Sequence, residues 1–185
     1  MNNKTFAIIA TVAILAIGGY MAYRYFTSRP LSPTQTTTFR YEGLDVKVTY
    51  CRPFKKGRLI FGGSEDALVP NGKYWRLGAN EATEISFSQD VNIAGKPLKA
   101  DTYRMYAVPN ESSWQISFNS GLGAWGANEP DYDKDVLKVE VPAEKVSSET
   151  EQFTITFASD STGVNMNIDW DKTHLRVPIA RTIAQ

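Results

Sequence analysis

The sequence predicts an all-β domain, a two-sheet antiparallel sandwich of jelly-roll type, preceded by one N-terminal transmembrane helix. Three observations carry that expectation. From Phe39 onward apolar residues recur at every second position in short runs; clusters of turn-forming residues separate the runs; and a single uncharged apolar stretch, Phe6 to Tyr23, stands before them.

The apolar stretch comes first. As a helix with ~1.5 Å rise per residue it would extend about 27 Å, close to the hydrocarbon thickness of a bilayer. It follows a short basic start at Lys4 and runs into Tyr20, Tyr23, Tyr25 and Phe26, aromatic residues of the kind that collect at membrane interfaces. A cleaved secretory signal ending near Ala16-Ile17-Gly18 is the alternative. The run is longer than an ordinary signal core, so a retained anchor is expected, with lipid as its partner through Phe6 to Tyr23. The expected location is a bacterial inner membrane, crossed once, with the C-terminal domain in the periplasm. The segments read as an anchor over 1–27, a Ser/Pro/Thr-rich linker over 28–38, one sandwich domain over 39–181 and a tail over 182–185.

Within the domain, Val46, Val48 and Tyr50 share one strand face, as do Ile85 and Phe87, then Tyr103, Met105 and Ala107, then Trp114, Ile116 and Phe118. The pattern continues through Leu137, Val139 and Val141, through Phe153, Ile155 and Phe157, through Met166, Ile168 and Trp170, and through Leu175, Val177 and Ile179. Pro70-Asn71-Gly72, Ala94-Gly95-Lys96-Pro97, Pro109-Asn110-Glu111 and Asp160-Ser161-Thr162-Gly163 supply turns between them. About ten strands with one apolar face each need a second layer to cover that face, hence the sandwich.

Composition removes several functions. Lys plus Arg and Asp plus Glu are 20 each, so there is no positive surplus for binding nucleic acid. Cys51 is the only cysteine and His174 the only histidine, too few nitrogen and sulfur ligands for a zinc site. No nucleophile elbow, phosphate-binding glycine loop or zinc-protease motif occurs, and a Cys51–His174 nucleophilic pair lacks any activating motif. This points away from an enzyme, and no cofactor is expected.

The polar residues of greatest interest lie in Trp75-Arg76-Leu77-Gly78-Ala79-Asn80-Glu81-Ala82-Thr83-Glu84. Arg76 offers a planar fork for an oxyanion, Asn80 donates and accepts, and Glu81 is a candidate acid or base. The plainer alternative pairs Arg76 with Glu81 and leaves Asn80 serving its own turn. Among four tryptophans, Trp114 and Trp170 lie on core faces. Trp125, between glycines of the long irregular stretch Ser120 to Asp135, is the one expected at the surface, facing a ligand or partner protein. Asp131, Asp133 and Asp135 are spaced like the start of a calcium loop, but Val136 and Pro142 occupy the positions where an EF-hand needs glycine and glutamate, leaving a weak calcium candidate.

Several of these segments together resemble the bacterial family known as domain of unknown function 2911, found mostly in envelope proteins of the Bacteroidota. The resemblance is carried by Tyr50 to Gly62, Leu68 to Thr83, Gly95 to Leu98, Thr102-Tyr103, Trp125-Gly126 and Trp170 to Pro178, with Asp101 where the family usually has glycine. It implies an all-β envelope domain with Trp75 to Thr83 as a signature element, and it brings no activity with it. The function expected is thus a non-catalytic accessory or protein-interaction subunit of a larger membrane or envelope complex. The alternative is an envelope hydrolase, or a module binding a small ligand or glycan through Trp75 to Thr83.

Overall fold

The computed structural model describes residue 2 and residues 11–21, 32–161 and 163–182. The chain divides into two compact units, Met1–Leu31 and Ser32–Gln185. In the first, residues 11–21 are helical. Eleven residues span about 16 Å, roughly half of a bilayer's hydrocarbon core. No described helix is long and apolar enough to cross a membrane. This corrects the expected transmembrane helix and, with it, the single-pass inner-membrane location and the periplasmic placement that rested on it. Residues 6–10, 22 and 23 of the apolar stretch lie outside the described residues, as does the basic start at Lys4.

The second unit is mostly β. Its strands are β1 (Thr34–Tyr41), β2 (Leu44–Cys51), β3 (Phe61–Gly62), β4 (Val69–Pro70), β5 (Thr83–Phe87), β6 (Val91–Ile93), β7 (Lys96–Leu98), β8 (Thr102–Pro109), β9 (Ser113–Asn119), β10 (Asp135–Asp160) and β11 (Gly163–Arg181). β1 begins at Thr34, inside the segment expected as linker, because the threonine-rich run pairs with β2 from Thr34 opposite Cys51 to Tyr41 opposite Leu44. The expected turns at Ala94-Gly95 and Pro109-Asn110-Glu111 join β6 to β7 and β8 to β9. At Asp101, just before β8, the carboxylate accepts the Thr102 amide at 2.7 Å.

Hydrogen bonds join nine strands into one antiparallel sheet in the order β1-β2-β5-β8-β9-β10-β11-β6-β7, and β3 pairs with β4 in a small parallel sheet. The single network follows from the 26-residue length of β10. Its first part, Asp135 to Pro142, pairs with β9; the remainder, from Ala143 to Asp160, pairs with β11 through two register shifts. The chain just past β2 then meets the second part of β10. Phe54 bridges Gln152, the Tyr50 hydroxyl accepts the Ile155 amide at 2.8 Å, and the Phe39 and Phe157 rings stack at 6.0 Å.

The residues expected inside are buried except Phe157, which is half-buried. Val46, Val48, Ile85, Met105, Ile116, Phe153, Ile168, Trp170, Leu175 and Val177 are all 1% exposed or less. At the centre, Trp75 packs edge-on against Trp114 and lies parallel to Trp170, with ring centroids 5.6 and 5.7 Å away. Phe61 and Phe153 close the cluster. β8 and β9 differ from the simple alternation, for Arg104, Tyr106, Ser117 and Asn119 on their other face are buried as well. The 120–135 segment and Tyr74 cover that face through bonds from Arg104 to Asn128 and from Asn119 to Asp131.

Replacing Trp114 by alanine leaves a cavity beneath Trp75 and Phe61. It should cost about 3–5 kcal/mol of unfolding free energy, read as a lower urea midpoint at unchanged slope.

Candidate functional site

The Trp75–Glu84 segment is irregular because its two ends are fixed and its middle must pass over β2. Trp75 exchanges two 2.8 Å backbone bonds with Ala107 on β8, and Thr83 begins β5. Between them Leu77, Gly78 and Asn80 all have positive φ. At Gly78 a Cβ would sit 2.5 Å from the Cys51 carbonyl oxygen, so only glycine allows this approach. The Thr83 hydroxyl donates to the Leu77 carbonyl and closes the turn.

The segment 123–128 then lies along residues 80–84. Glu81 bridges Trp125, the Gly126 amide donates to the Asn80 carbonyl at 3.0 Å, and the Gly123 amide donates to the Glu84 carboxylate at 3.0 Å. Tyr74 holds the same stretch by donating to the Gly126 carbonyl. Gly126 is required by contact: a Cβ there would meet the Asn80 oxygen and the Arg76 Cδ, each at 2.6 Å.

Between this stretch and the end of β2 is an open cavity of about 480 Å³, lined by Thr34, Thr49, Tyr50, Cys51, Glu81, Ala82, Glu84, Gly123, Ala124 and Trp125. Two carboxylates and a half-exposed indole share it, Trp125 being 51% exposed. The Cys51 thiol donates to Glu81 Oε2 at 3.2 Å, and among the described residues the second oxygen of Glu81 has no hydrogen-bond donor. Size and lining match those of small-molecule sites, mostly apolar with a few fixed polar groups.

The structure thus brings together Glu81 and Trp125 but separates them from Arg76, which borders a second cavity with Tyr74, Trp75 and Ala127. Arg76 and Glu81 form no ion pair, so the plainer alternative raised by the sequence does not hold. Asn80 contributes its backbone carbonyl, and its amide donates weakly to Ser32 at 3.4 Å. Cys51 and His174 have different partners, since His174 is bonded to Asp169 at 2.7 Å. Trp75, Trp114 and Trp170 are at most 6% exposed, so no second indole joins Trp125 as a sugar platform.

Two of the three aspartates of the candidate calcium loop, Asp131 and Asp135, are engaged elsewhere. Asp131 caps the 3-10 turn Tyr132–Lys134 through the Asp133 amide. Asp135 turns inward and accepts from Tyr106, Asn119 and Lys138. Among the described residues no three potential ligands cluster as a metal would need. Sequence reasoning placed Glu84 near Glu81 but missed the role of Cys51 in the cavity and of Tyr74 and Arg104 beneath the loop. The one available signal was Arg104 itself, a cation between Tyr103 and Met105 in a strand whose neighbours are apolar.

A family model described as a protein of unknown function, DUF2911, matches residues 32–179. No curated protein and no solved structure matches the chain.

Two outcomes test this geometry. Gly126→Ala forces the 123–128 stretch off residues 80–82 at a cost of about 1–3 kcal/mol, seen as faster hydrogen exchange at the Gly126 and Ala82 amides. The second concerns alkali. Burial and the bond to Glu129 raise the Tyr132 pKa from 10.0 to about 12, and burial and Asp135 raise that of Tyr106. The unfolded chain releases these protons from pH 10 upward while the folded chain keeps them. Stability is therefore full below about pH 10 and falls as pH rises toward about 12. Tyr106→Phe should flatten that slope in denaturant midpoints measured across the window.

Proposed function

The chain belongs to the DUF2911 family, and from that premise we propose that its domain is a non-catalytic binding module for a small ligand that joins an apolar ring to a cationic hydrogen-bond donor. The observation that carries this is one cavity holding the exposed Trp125 indole beside the Glu81 and Glu84 carboxylates. A cation seated against an indole face gains up to about 2 kcal/mol when desolvated, and carboxylates add charge-assisted bonds. The walls from Tyr50, Ala82 and Ala124 suit an apolar body. Binding rather than catalysis is favoured because the thiol at the site is bonded to a carboxylate and the histidine is bonded elsewhere. We read the curled sheet as the two facing layers of a sandwich, with this cavity at the rim where β2 ends.

Leu122 supports a second reading. It is 47% exposed in the same loop as Trp125, a pairing of apolar side chains suited to docking a partner protein, as an accessory subunit would.

Titration with phenethylammonium, followed by tryptophan fluorescence, separates these readings. Saturable quenching is expected, lost in Trp125→Phe and weakened about tenfold or more in the Glu81→Gln, Glu84→Gln double variant, with neutral phenethyl alcohol binding more weakly. Equal binding of the alcohol, or no saturation, would turn the choice to the docking surface.

A further inference from the structure

Arg76 lies in the second cavity, of about 320 Å³, lined by Leu68, Val69, Pro70, Tyr74, Trp75, Arg76 and Ala127. Its guanidinium has no hydrogen bond and no ion pair among the described residues, and its Nε is enclosed without an acceptor. A shielded donor of this kind is rarely left empty, because its lost hydration goes uncompensated.

A second cation stands behind it. Arg104 is 3% exposed, donates to the Tyr74 hydroxyl and the Asn128 carbonyl, lies opposite Glu84 in the β5–β8 register without an ion pair to it among the described residues, and also has an Nε without an acceptor. Both guanidinium groups act on the Tyr74 hydroxyl, drawing its pKa down against the larger upward effect of burial. Glu129 is the opposing charge felt there, and it is already bonded by the Tyr132 hydroxyl at 2.7 Å. The cavity therefore has one charged lining residue, positive and unneutralised, a second cation beneath it, and otherwise mainly apolar walls.

We infer that this cavity binds a small organic acid, with the carboxylate on the Arg76 guanidinium and an aliphatic body against Leu68, Val69, Pro70 and Trp75. A single planar fork fits a carboxylate in two-point contact. The apolar walls disfavour a fully hydrated inorganic phosphate, whose remaining oxygens would find no donors among them. This site goes beyond the cationic-ligand reading, from which it is separate in residues and opposite in the charge it selects.

The test is an amide-resolved NMR titration of the full-length chain with sodium hexanoate, with hexanamide and inorganic phosphate as controls. Saturable shifts are expected at Leu68, Val69, Trp75, Arg76 and Ala127, with hexanamide at least about tenfold weaker and phosphate without effect at these positions. Arg76→Gln should weaken hexanoate at least about tenfold, and Leu68→Ala, at an exposed wall, should weaken it while leaving the spectrum folded. Equal binding of acid and amide, unchanged affinity in a folded Arg76→Gln protein, or shifts that map elsewhere would each overturn the assignment. So would phosphate that competes as well as hexanoate does. Glu81→Gln should leave the titration unchanged, so failure here is distinct from failure at the Trp125 cavity.

Discussion

The fixed position of Trp75 is the constraint on which both cavities depend. Its backbone is bonded in both directions to Ala107 at the middle of the sheet, and its indole is held among Trp114, Trp170, Phe61 and Phe153. Large aromatic rings packed edge to face bury much area and resist displacement. With Trp75 fixed, the next residue projects Arg76 toward one cavity. The strained passage through Leu77, Gly78 and Asn80 brings Glu81 to the other.

The 120–135 segment has the complementary role. It contains few apolar residues that could bury themselves, and so it is held by polar bonds reaching up from the sheet. Arg104, Asn119, Tyr74 and Tyr106 each bond to this segment, to its backbone or to the Asp135 carboxylate at its end. Their burial explains why β8 and β9 break the alternation of apolar and polar faces: the second face is covered by a loop that needs hydrogen bonds. Trp125 is left half-exposed in that loop, lining the first cavity beside two carboxylates.

Part of this was legible in the residues. Strand periodicity reports which side chains leave water, and it located the core faces and Trp114 and Trp170 within them. Glycines flanking Trp125 marked a site where the chain turns tightly and an indole has nowhere to pack. The crowding of Arg76, Asn80 and Glu81 marked a place where polar groups need partners, but not which partners. Arg76 and Glu81 are five residues apart, and only the positive-φ turn at Leu77-Gly78 sends them to different cavities. Among the described residues the helical part of the apolar run covers 11–21.

By itself, then, the sequence determined the β class of the domain, the faces of its longer strands and the family, because these depend on local alternation, turn chemistry and short-range motifs. The tertiary structure alone decided that β10 is shared between β9 and β11, that Cys51 faces Glu81 across 30 residues of chain, and that Arg76 has no carboxylate partner among the described residues. Such contacts depend on how a long strand bends and where a loop settles, and those follow from the sum of all packing and hydrogen bonding rather than from any segment's own pattern.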